Sequence, residues 1–145
     1  MCLVNGVNQL IDKLASLYLF KGIQPSEIAD TIFEKNYSSL AIEKTVDGIV
    51  LIACFSEVDE DTHAIYKHQL KYVYSADKTL QVVEQRVGNK AAKIQWSRKA
   101  ELDRLIDEFV DKVKPVLNQD QIKSILSTLP REIRPQVEVK LRLVA

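Results

Sequence analysis

The sequence is sparing with the residues that break, staple or charge a chain. Only four glycines and four prolines occur among 145 residues, which leaves little material for long flexible linkers. The glycines stand alone at positions 6, 22, 48 and 88, so there is no Gly-rich loop of the kind that cradles phosphates. Two cysteines, Cys2 and Cys54, are too few for the disulfide framework of a small secreted fold, and both read as reduced thiols. Cys54 lies in the most apolar run with no histidine beside it and reads as a small core residue. Neither sign of charge is in excess. Twenty Lys+Arg balance twenty Asp+Glu, which removes the global positive field that draws proteins to nucleic acid or anionic membranes. Long hydrophobic runs are missing as well: Ile49 to Phe55 is seven residues, against roughly 20 needed to span a bilayer. The opening residues hold no basic stretch followed by an apolar one, so no export signal is read and the cytoplasm is the expected location.

What is present is an ordinary globular balance, 46% hydrophobic and 28% charged, at a length suited to one domain spanning residues 1–145. Val7, Leu10, Ile11, Leu14, Leu17 and Tyr18 recur at helical spacing and predict an amphipathic helix that Gly22 stops. Pro25 suits the first turn of a second helix, with Ile28, Ala29, Ile32 and Phe33 as its buried stripe. From Ser39 the period changes to two. Asp47-Gly48 predicts a tight type I′ turn between strands, and the unbroken apolar run after it predicts a strand covered on both faces. Further strands are predicted over 64–74, 79–87 and 91–96, completing an antiparallel meander of five. Leu102, Leu105, Ile106, Phe109, Val110 and Val113 form the stripe of a long helix over 98–114, and Asn118 with Gln121 predicts a capping box for a short helix through Leu129. The alternation of Val137, Val139, Leu141 and Leu143 predicts a sixth strand over 136–145. The expected fold is α+β: two helices, a five-strand meander, a long helix, a short helix and a C-terminal strand.

Chemistry-bearing residues are thinly spread. Glu57 to His63 is an acidic loop, and Asp59, Asp61 and His63 are its candidate metal ligands. It lacks the glycine and late glutamate of a calcium loop, so a solvated hairpin loop is expected, with no metal and no cofactor. His68 alternates with Tyr66, Tyr72 and Tyr74 on one strand face, which could be core, interface or pocket. These four, with Trp96 and Phe109, are the candidate ligand or interface residues. No convergent nucleophile, base and acid emerge, so no catalytic residue is assigned.

Two resemblances extend beyond single residues. The stretch Leu17 to Ile32, with Gly22 at a turn and Glu27-Ile28-Ala29 on the helix after it, resembles the start of the helix-turn-helix in response-regulator transcription factors. It implies DNA binding through segment 10–33. The recognition helix of that family would fall on Asn36 to Val46, where this chain turns to strand and only Lys35 and Lys44 are at hand as cations. The order of elements, two helices, a meander and a long helix, is similar to the helix-grip folds of lipid-transfer and pollen-allergen-like proteins. That implies an apolar ligand between the sheet and helix 98–114, near Leu105, Phe109 and Val113. Those folds open on a strand that this chain lacks. The leading expectation is a non-catalytic binding, adaptor or regulatory domain that acts through protein–protein contacts, self-association included; nucleic acid and membrane are not expected partners.

Overall fold

A computed structural model describes residues 2–115 and 118–143. The chain forms α1 (Cys2–Leu19), α2 (Pro25–Ala29) continued by a 3₁₀ turn (Asp30–Phe33), and strands β1 (Tyr37–Lys44), β2 (Gly48–Val58), β3 (Ile65–Ser75), β4 (Leu80–Val87) and β5 (Lys93–Ser97). Helices α3 (Arg98–Val113), α4 (Gln119–Leu126) and α5 (Arg134–Leu143) follow. This is a mixed α+β fold with a five-strand antiparallel sheet in the order β1-β2-β3-β4-β5. Among the described residues no helix is long and apolar enough to cross a membrane. Contacts divide the chain into two compact units: a helical one of Met1–Phe20 with Lys99–Ala145, and a sheet unit of Lys21–Arg98.

The helical unit is built from stripes at helical spacing. Val7, Leu10 and Leu14 of α1 meet Leu105, Ile106, Phe109, Val110 and Val113 of α3, with Leu126, Leu129, Ile133 and Val137 closing the cluster. Removing one such side chain from water contributes about 1.5–3 kcal/mol. The expected capping box starts α4: Gln121 N–H donates to Asn118 Oδ1 at 2.8 Å and Asn118 N–H donates to Gln121 Oε1 at 3.0 Å. The turn into α5 is tied by Arg134, whose guanidinium donates to the carbonyls of Leu129 and Ser127, both at 2.8 Å.

The last element departs most from the sequence expectation. Residues 134–143 form a helix where 136–145 read as a strand; Val144 and Ala145, the end of that strand, lie outside the described residues. The alternation misled because Ile133, Val137 and Leu141 also recur every four residues, which is one helical face. The available partner is a cluster of helices, and Pro135 fits a helical first turn. Val137 is fully buried and Val139 is 54% exposed, whereas a strand would have put both on one face. Val137→Ala is therefore expected to lower unfolding free energy by about 2 kcal/mol and Val139→Ala by under about 0.5 kcal/mol, read from urea denaturation.

In the sheet unit, Leu51, Ala53, Tyr74 and Leu80 form the buried centre of one face under Ile28 of α2, with Tyr37, Leu40, Ile49, Tyr72, Val83 and Trp96 packed around them. The other face, carrying Val50, Ile52 and Cys54, is only half-buried, so β2 is covered on one side rather than both. The second helix is also shorter than its stripe implied. Ile28 is buried, but the 3₁₀ turn leaves Ile32 and Phe33 exposed. Segment 21–24 is strapped to the β3–β4 turn: Leu80 N–H donates to Lys21 O, Lys21 Nζ to Asp77 O, and Gln24 Nε2 to Lys78 O. Gly22 allows this with φ +84°, and a Cβ there would stand 2.9 Å from that of Leu80.

Candidate functional site

The antiparallel register carries the side chains of the sheet face into place. His68 stands opposite Phe55, and Phe55 opposite Tyr37. The rings stack accordingly, Phe55 on His68 at 4.8 Å and 4°, and Tyr37 on Phe55 at 5.1 Å and 29°. Gln85 Nε2 lies 2.9 Å from His68 Nδ1, and Glu57 Oε2 lies 3.3 Å from His68 Nε2. The Gln85 amide and the Glu57 carboxylate thus flank the ring on its two nitrogens. Both ring nitrogens are engaged, so a bound molecule could reach either only by displacing a side chain.

The other expected residues are dispersed. Tyr74 is 2% exposed, and its hydroxyl donates to Ile23 O at 2.6 Å. Tyr72 is half-buried beside it. Burial pushes the Tyr74 phenol up to about 12, with the neighbouring Tyr72 and Glu27 adding to the shift. Burial and then Tyr37 raise Tyr72 in the same direction. Tyr66 is 45% exposed at the far end of β3. Trp96 is half-buried on β5 with the Arg98 guanidinium 5.3 Å from its ring centre, and Phe109 lies in the helical cluster at 1% exposure. In the acidic loop, Asp59 Oδ1 accepts from the N–H groups of Asp61 and Thr62, closing the turn with an oxygen a cation would need. Among the described residues, no three His, Cys, Asp or Glu side chains converge as a metal site would require.

The Tyr74 arrangement has a consequence in alkali. The unfolded phenol ionises near 10 and the folded one near 12, so above pH 10 the unfolded chain releases its proton first. Stability is fully present below pH 10 and falls as pH rises toward about 12. Denaturation midpoints followed from pH 9 to 11 are expected to drop, and to drop less steeply in Tyr74→Phe.

A surface that the sequence reading did not single out is the outer edge of β1. It is a sheet terminus, and Ala41, Ile42, Glu43 and Lys44 are exposed, Ile42 by 51%. The hairpin fixes which backbone groups face outward. Thr45 N–H donates to Gly48 O at 2.8 Å. Antiparallel ladders alternate, so Glu43, Ala41 and Ser39 bond inward to Val50, Ile52 and Cys54. The N–H and C=O groups of Leu40, Ile42 and Lys44 therefore point away from the sheet. At the opposite terminus, β5 is five residues long, begins on Lys93, and pairs through a bulge at Val83/Glu84. Short length, a lysine and a bulge are the usual protections of an edge. β1 is longer, at eight residues, and its own bulge at Tyr37/Ser39 and its lysine, Lys44, stand at its two ends, so the edge from Ser39 to Glu43 between them stays open.

At the hairpin end of β1 lies an open groove of about 610 Å³, with Ile49 and Tyr74 among its apolar lining and Lys44 and Lys78 among its charged residues. Neither protein-family models, nor curated proteins, nor solved structures match the chain.

Proposed function

We propose that this chain is a non-catalytic binding module whose contact with other proteins is strand addition at the edge of β1. The observation that carries the reading is the outward row of backbone groups on Leu40, Ile42 and Lys44, beside exposed Ile42. Strand addition draws affinity from main-chain hydrogen bonds and specificity from alternate side chains. The apolar inner-face positions Leu40 and Ile42 supply the second requirement. The stacked Tyr37–Phe55–His68 row on the same face stiffens the strands behind them.

The test selects binders from a random peptide library displayed on phage. Enriched peptides are expected to show alternating apolar positions and to lose binding to an Ile42→Pro variant. Proline suits this place, because Ile42 N–H makes no ladder bond and edge strands tolerate a proline whose nitrogen faces out. Binding that survives Ile42→Pro in a folded protein, or a selection that enriches nothing, would contradict the proposal.

A further inference from the structure

We infer that the strand added to β1 is β1 of a second copy of this chain, in antiparallel register with Ala41 on the two-fold axis; this rests on the edge reading above. A two-fold interface brings a surface against itself, so the segment must be complementary to its own reverse. Ser39–Glu43 meets that condition about Ala41. Leu40 falls opposite Ile42 of the other copy and Ser39 opposite Glu43, each pair occurring twice. Leu40 and Ile42 have outward backbone groups, so each of their pairs exchanges both hydrogen bonds. Ala41 meets its own counterpart at a pair without hydrogen bonds, where side chains approach closely and a methyl group fits.

The alternatives are poorer: a register about Ile42 keeps a single apolar pair and sets Leu40 opposite the charged Lys44 of the other copy. A register about Glu43 sets two like carboxylates directly opposite, which is destabilising. One about Leu40 runs into the bulge at Tyr37/Ser39 and leaves Ile42 opposite a serine. The register about Ala41 puts no charge opposite its like and joins the two apolar pairs to the existing inner face. The balance of charge agrees: with 20 cationic and 20 anionic residues, two copies meet without net repulsion. The contact is small beside that of permanent dimers, so self-association is expected to be weak and to depend on concentration.

Sedimentation of the full chain over a hundredfold concentration range is expected to show the mean mass rising from one chain toward two. Ile42→Lys and Ile42→Pro should each remain at one chain throughout. The register is read by oxidative cross-linking in a background of Cys2→Ser and Cys54→Ala. Ala41→Cys should give a covalent dimer, whereas Lys44→Cys, also exposed on the same strand, should give several-fold less. A wild-type chain that stays monomeric at every concentration overturns the inference. If selected peptides still bind it, the edge reading survives; if they do not, both fall. Equal cross-linking at positions 41 and 44 would overturn the register.

Discussion

Gly48→Ala is expected to lower the stability of the chain by about 3 kcal/mol, although it adds a single methyl group to a half-buried strand end. Gly48 opens β2 opposite Ser75. A Cβ built there would collide with the Tyr74 carbonyl oxygen and stand 2.8 Å from the carbonyl carbons of Tyr74 and Ser75. All of these are backbone atoms, so no side chain can turn aside. Relief requires the β2 and β3 backbones to part, beside the buried Tyr74 and its bond to Ile23. Gly88→Ala is the informative control: its backbone is left-handed, φ +56°, and an added methyl group would meet nothing within 4 Å. Only the conformational penalty applies there, about 1 kcal/mol. Urea midpoints for the two variants should differ accordingly, and equal midpoints would contradict the close-approach account.

Phe109→Ala is expected to cost about 4 kcal/mol, the largest effect of a single truncation considered in this chain. Phe109 is 1% exposed and sits one helical turn from Leu105, Ile106 and Val113 in the cluster shared by α1, α3, α4 and α5. Its loss removes the transfer free energy of a ring and leaves a void that the surrounding buried side chains could fill only in part. Far-UV circular dichroism during denaturation reads the change. With a typical domain stable by roughly 5–15 kcal/mol, the variant should be partly unfolded well below the wild-type midpoint. An unaltered midpoint would mean that Phe109 is not enclosed as described.

Which parts of this were legible in the sequence follows from how unambiguous each local pattern is. The α1 and α3 stripes were readable because five or six apolar residues repeat at a spacing that only a helix brings to one side. The meander was readable from turn residues at hairpin intervals. Position 48 was recognised as a turn glycine for the wrong reason. Left-handed φ among the described residues falls at Gly22, His63, Lys78 and Gly88, while Gly48 is needed because another backbone passes close to it. Such an approach leaves no local trace. The tail was misread because its apolar residues satisfy periods of two and of four together, and the choice between them lies in the partner. The tyrosine face was correctly assembled by alternation, yet alternation does not reveal that Tyr74 would be sealed under segment 21–24 while Tyr66 stays in water. The β1 edge was within reach: in a meander the first strand is a sheet terminus, and the hairpin after it sets which amides turn outward.

Amide hydrogen exchange along β1, followed residue by residue by NMR, tests that edge most directly. In dilute protein, Ala41, Glu43 and Thr45 are expected to exchange slowly and Leu40, Ile42 and Lys44 quickly. Saturation with a strand that adds to the edge should then slow Leu40 and Ile42 without altering the inward set. Uniform protection of β1 in the dilute protein, or Leu40 and Ile42 amides that stay fast at saturation, would contradict it.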